Sequence, residues 1–301
     1  MIPKILHRMW LDKSITNNNH APKKYDPFIK SFNDHNPEFQ VMFWNMERVK
    51  QLFDQFPQIA RYKDIWLNLP HHIQKCDMAR FIIIYLYGGI YVDLDFMCFK
   101  NLSPLLNREL LLVFEPPEHS EIWNDPVPAR LYNGLIGSVP RHPFWIGWLD
   151  FIVQSIKKSN DVMLTTGPLN FAIFFKQSPY RNIQTVNTCD LLPIYLKDNS
   201  NYITRNCIDR NYGSKIIKNN DYYKHFGNYT HTKWSEGSGW GNEQLEDPNK
   251  PIENFTNNLN NNDIFCYIFI IVAILLILIL VYYFIHKSKK FESKNDFFFN
   301  Q

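Results

Sequence analysis

Cysteine is scarce in this chain of 301 residues, and none of its five cysteines stands in a Cys-x-x-Cys pair. That excludes a zinc ribbon and a dense disulfide framework. Cys76, Cys98, Cys189 and Cys207 are left to pair or not, while Cys266 lies inside a late apolar segment. An excess of one charge is missing too. The formal net charge is +3, and Lys and Arg form no run outside the extreme C-terminus, so no nucleic-acid partner is expected. No internal repeat is evident. What is present is a 45% hydrophobic chain in which residues 1–250 suffice for one large α/β core.

Chemistry concentrates in Cys76 to Asp95, CDMARFIIIYLYGGIYVDLD. Phe81 to Leu86 is apolar on nearly every side, which marks a helix packed inside the protein. Gly88 and Gly89 stop it, and Ile90, Tyr91 and Val92 restart the chain as a strand. Asp77 and Arg80 lie three apart and share a helix face, whereas Asp93 and Asp95 lie two apart and share a face of an extended segment. Carboxylates at the end of a buried strand need compensation, and a divalent cation with oxygen ligands is the usual one. Alone, the two aspartates also fit a solvated turn, and Asp77 with Arg80 also fits a structural salt bridge.

The ordered string D-x-x-R, apolar helix, G-G-x-Y and D-x-D resembles the DXD-containing sugar transferases related to yeast α-1,6-mannosyltransferase and mannosyl-inositol-phosphoceramide synthases. Ile2-Pro3-Lys4-Ile5-Leu6-His7-Arg8-Met9-Trp10 resembles that family's opening strand, and Asn36-Pro37-Glu38-Phe39 to Trp44 its second. Asn133-Gly134 to Ser138, His142-Pro143-Phe144 and Thr166-Gly167-Pro168 resemble later segments. The resemblance runs to about Trp234 and implies a GT-A type nucleotide-diphospho-sugar transferase fold with a retaining mechanism. It implies a divalent cation, Mn2+ or Mg2+, on Asp95 and Asp93, with His231 or, alternatively, His225 as third ligand. Asp77 and Arg80 would contact the hydroxyls of the donor sugar. Trp10 and Tyr91 fit either the nucleotide pocket or the core. Where the family has Ser or Thr before the closing Trp, this chain has Lys233.

Alternating strands and helices imply a mostly parallel sheet with helices on both faces, ligands binding beyond the strand carboxyl ends. Strands are expected at Lys4 to Trp10, Gln40 to Trp44, Ile90 to Asp93 and Leu110 to Glu115, and helices at Pro27 to Asn33, Met46 to Phe53 and Gln74 to Tyr87. Beyond the catalytic domain at 1–250, residues 251–263 read as an Asn-rich linker. Ile264 to Ile285 is free of charge and long enough to span a bilayer, and 286–301 is a short basic tail. The expected protein is thus C-terminally anchored by a single pass in an endomembrane. The basic tail favours a lumenal catalytic domain, while the absence of a signal before Ile2 favours a cytosolic one. The expected partners are a nucleotide-sugar donor, a glycan or lipid acceptor and the membrane. A hydrolase of activated sugars and a catalytically silent, membrane-tethered binding module are the competing readings.

Overall fold

The computed structural model describes residues 1–11, 20–181, 183–197, 200–210, 216–217 and 230–232, all within a compact unit spanning Met1–Glu243. The expected span at 264–285, its linker and tail, His225 and Lys233 lie outside the described residues. No helix among the described residues is long and apolar enough to cross a membrane.

The chain opens on strand β1 (Ile5–Met9), passes through helix α1 (Asp26–His35) and returns as β2 (Gln40–Trp44). Helices α2 (Met46–Gln55), α3 (Pro57–Ala60) and α4 (Lys63–Leu67) then lead to α5 (His72–Tyr87). Asn45 caps α2 by accepting from the Arg48 amide, and His71 with Gln74 forms a capping box at the start of α5. The α5 helix ends where the sequence places the break. Gly88 has φ +64° and Gly89 φ +85°. A Cβ on Gly89 would come within 2.6 Å of the Ile5 carbonyl oxygen, so glycine is required both by conformation and by the close approach of β1.

Strand β3 (Gly89–Val92) follows, then β4 (Phe96–Cys98), β5 (Leu110–Leu111), helix α6 (Pro117–Ile122) and β6 (Leu135–Ser138). The central sheet has the order β2-β1-β3-β6-β5. Strands β2, β1 and β3 pair in parallel, whereas β6 runs antiparallel to both β3 and β5. The sheet is therefore mixed α/β and not mostly parallel. The cause is the long excursion between Asp93 and Gly134, which brings the chain back to the carboxyl end of β3 that it left, so β6 runs back along β3, the Asp93 amide donating to the Gly134 carbonyl at 2.7 Å. The expected strand Leu110 to Glu115 also stops early. Val113 and Phe114 instead make isolated bridges to Val186 and Leu131.

Alternation along β3 divides the core. Tyr91 joins the cluster built from α2, α5, α7 (Pro143–Ile156) and α8 (Pro168–Gln177), while Ile90 and Val92 join Phe32 of α1 on the other face. Aromatic rings fill the first cluster: Phe81 of α5 packs on Trp145 at 5.8 Å and Phe171 at 5.3 Å.

Past α8, helix α9 (Thr188–Leu191) leads to β7 (Ile194–Lys197), β8 (Ser200–Ile203) and β9 (Ile216–Ile217), a separate antiparallel sheet. Cys189 and Cys207 form a disulfide, and among the described residues Cys76 and buried Cys98 are thiols. Strand β10 (Thr230–Thr232) pairs antiparallel with β4, setting His231 opposite Met97, two residues past Asp95. The Thr230 hydroxyl donates to the Leu191 carbonyl at 3.0 Å, so α9 supports this strand.

Candidate active site

Asp93 directly follows β3, and Leu94–Asp95 turns the chain into β4. The aspartates thus occupy a turn at the carboxyl end of β3 and not an extended strand. Both are partly exposed, with Leu94 buried between them.

Asp93 is held from several sides. Tyr91, almost wholly buried, donates its hydroxyl to Asp93 Oδ1 at 2.8 Å. Arg80 Nη1 lies 3.4 Å from Oδ2, and Arg8 Nη1 donates to the Asp93 carbonyl at 2.7 Å. A Cβ on Gly134 would stand 2.3 Å from Asp93 Oδ2 and 2.5 Å from the Tyr132 hydroxyl oxygen. Only glycine fits opposite the carboxylate.

Beneath this turn sits a buried polar network. Asp77 accepts from Asn133 Nδ2 at 3.0 Å and from the Thr166 hydroxyl at 2.7 Å, and it pairs with Arg80 at 3.1 Å. The Arg80 guanidinium also donates to the Asn133 carbonyl at 3.1 Å. Burial pushes the Asp77 carboxyl up to about 7, opposed by Arg80 and Thr166. Burial acts against the charge on Arg80 as well, but Asp93, Tyr91 and Asp77 outweigh it and raise its pKa above the ordinary value. Tyr91 is held well above the usual phenol range, first by burial and then by Asp93.

The residues expected at the site are thus brought together, though in different settings. Asp77 is fully buried with both carboxylate oxygens taken, so it is the salt-bridge partner and not an exposed acceptor. Its helix spacing gave the pairing with Arg80 and could not give the depth. Tyr91 is a core residue whose hydroxyl reaches the site. Trp10 is only partly buried and packs on Tyr25 at 5.9 Å, leaving part of its ring accessible. For His231 the backbone register is described, as above.

Arg8, Asn133, Gly134 and Thr166 were assigned no role from sequence. Asn133-Gly134 and Thr166-Gly167 stood out only as matched strings, since their partners lie 40 to 90 positions away in sequence. His7, from the opening string, is structural. Its Nδ1 accepts from the Trp44 indole at 3.1 Å and its Nε2 donates to the Gly88 carbonyl at 2.8 Å, fixing a neutral tautomer. Burial lowers its pKa to about 4.

Two partly exposed carboxylates form an all-oxygen donor pair suited to a hard cation such as Mg2+ or Mn2+, with the remaining ligands coming from phosphate and water. Among the described residues, no group of three or more His, Cys, Asp or Glu side chains is arranged to hold a metal.

Residues 22–112 match the glycosyltransferase sugar-binding region containing the DXD motif, and Asp93-Leu94-Asp95 falls inside the match. Inositol phosphoceramide mannosyltransferase 2 of Schizosaccharomyces pombe is 28% identical over 189 residues, 59% of this chain and 47% of that protein. Mannosyl phosphorylinositol ceramide synthase SUR1 of Saccharomyces cerevisiae is 28% identical over 206 residues, 66% of this chain and 49% of that one. The chain spans about half the length of these relatives. Among solved structures, PaToxG glycosyltransferase aligns with a TM-score of 0.44 and 18% identity, covering 58% of this chain and 69% of that one.

Proposed function

We propose, from the match of residues 22–112 to the sugar-binding region of DXD-containing glycosyltransferases, that the chain transfers a hexose, mannose by its relatives' names, from a nucleotide-diphosphate sugar to a lipid or glycan acceptor with retention at the anomeric carbon. Inositol phosphoceramide, named in the relatives, is the acceptor to test first. The observation carrying this reading is the fixed Asp93 carboxylate, held by Tyr91 and Arg80 and packed so closely against Gly134 that no Cβ fits between them.

In this reading Asp95 and Asp93 hold the cation, with His231 on β10 as a candidate third ligand and His225 as its alternative. When bound, a divalent cation supplies the Lewis acidity that stabilises charge growing on the departing diphosphate. The protein's own contribution is preorganisation. Tyr91, Arg80 and Arg8 fix Asp93 before any donor arrives, so little reorganisation is left for the reaction step. Arg80 forms the floor of the donor-sugar subsite, with Asp77 binding the sugar through it by fixing the guanidinium. Trp10, with its partly accessible ring, flanks the nucleotide.

We place the protein in an endomembrane, anchored through 264–285, with the catalytic domain on the lumenal side. The Cys189–Cys207 disulfide supports that side, because such bonds persist in oxidising compartments.

The test is transfer. Full-length protein in detergent, given Mn2+, inositol phosphoceramide and a panel of nucleotide sugars, is expected to produce a hexosylated lipid from one donor, read by mass spectrometry. Sugar released to water without lipid product would favour a hydrolase. No turnover of any donor would favour the silent binding module.

A further inference from the structure

Arg8 is a buried cation with too few partners for a structural role alone. It lies on β1 and is 1% exposed, and its guanidinium stacks 4.1 Å over the Phe32 ring. Nη1 donates to the Asp93 carbonyl, but Nε and Nη2 have no hydrogen-bond partner among the described residues. Burying a guanidinium so poorly satisfied is costly, and an apolar side chain of similar volume would pack there at less expense. Its charge is offset from a distance: burial lowers its pKa to about 10, against Cys98, Tyr91, Asp93 and Asp95, which raise it. At neutral pH it remains protonated.

Three carboxylates (Asp77, Asp93, Asp95) against two guanidiniums (Arg8, Arg80) leave one net negative charge when all five are ionised. Arg80 is already paired with two aspartates, so Arg8 is the cation that weakens the site for a bare metal ion. The same charge favours an arriving diphosphate. We propose that Arg8 is a positioning residue that holds the Asp93–Asp95 turn and sets its charge, so that the carboxylates take up a divalent cation together with a nucleoside diphosphate in preference to the cation alone. The inference rests on the metal-dependent reading above.

Electron paramagnetic resonance of free Mn2+ tests it on the full-length protein, with Mn2+ alone and with Mn2+ plus UDP or GDP. In the wild type, one diphosphate is expected to tighten Mn2+ binding at least about tenfold. R8Q, which keeps a donor but loses the charge, is expected to bind Mn2+ alone about tenfold tighter than the wild type and to gain less from the diphosphate. R8K keeps the charge and should stay within a few-fold of the wild type in both conditions. Equal Mn2+ affinities for wild type, R8Q and R8K would overturn the inference and leave the metal-dependent reading standing. Wild-type binding that neither diphosphate improves would overturn it even if R8Q does not fold. Wild-type protein that binds no Mn2+ under either condition would sink the metal-dependent reading itself.

Discussion

Gly134→Ala is the most local perturbation of the site. An added Cβ would lie 2.3 Å from Asp93 Oδ2, 2.5 Å from the Tyr132 hydroxyl oxygen and 2.7 Å from Tyr132 Cζ. These contacts are about 1 Å closer than van der Waals separation permits. Tyr132 is buried in the core cluster behind β3, so it yields less readily than Asp93, whose side chain is 29% exposed. Relief therefore falls on Asp93, which must turn away from the Tyr91 hydroxyl and Arg80. Overpacking of this kind costs about 1–3 kcal/mol, and for a domain of this size about 2 kcal/mol lowers Tm by about 4–8 °C. Mn2+ affinity should fall roughly tenfold or more, because a ligand misplaced by about 1 Å loses most of its contribution. Scanning fluorimetry and Mn2+ titration read the two effects separately. Gly137→Ala is the control: its Cβ would meet Leu111 Cβ at 3.1 Å, away from the aspartates, so it should cost some stability and leave Mn2+ affinity alone. An unchanged Tm and an unchanged Mn2+ affinity in Gly134→Ala would refute the geometry on which the reasoning stands.

Asp77→Ala should lower the unfolding free energy in urea by about 3–5 kcal/mol, since it takes from Arg80 its closer carboxylate and strands the Asn133 amide and the Thr166 hydroxyl in the core; a loss below about 1 kcal/mol would mean the network is slack. His7 must be neutral to accept from Trp44, and its pKa falls from 6.5 to about 4 on folding. A depressed pKa contributes stability that is present above 6.5 and lost as pH falls towards 4. Between pH 7 and 4 the wild type should therefore lose about 3 kcal/mol more than His7→Gln, and parallel pH profiles would contradict the assignment. Replacing both Cys189 and Cys207 by Ser opens a link of sequence separation 18 and should cost about 3 kcal/mol; equal stability of the double variant and the oxidised wild type would remove the disulfide from the account.

What the sequence revealed and what it concealed divide by range. Strand Gln40–Trp44 falls on its expected limits, and helix His72–Tyr87 begins two residues before the expected Gln74, because a β-favouring run and an all-apolar helix declare themselves within a few residues. Gly88 and Gly89 were legible for the same reason. Asp77 and Arg80 showed as a helical pair, yet their burial depends on Asn133 and Thr166, which arrive from distant segments. The antiparallel course of β6 was hidden because strand direction is set by how the excursion after Asp93 returns, and local composition carries no record of that. In sequence, Arg8 is only one residue of the opening strand segment Ile2 to Trp10. Its importance comes from β1 lying beside β3, which puts the side chain under the Asp93 carbonyl.

In the proposed function, Asp93 and Asp95 bind a nucleotide sugar through a divalent cation. Isothermal titration of the full-length protein with a panel of nucleotide sugars, including a mannose donor, with and without Mn2+, tests it most directly. The account predicts that one donor binds only when Mn2+ is present and that Asp95→Ala abolishes this binding without lowering Tm by more than a few degrees. Binding of equal strength without metal, or retained in Asp95→Ala, would contradict it.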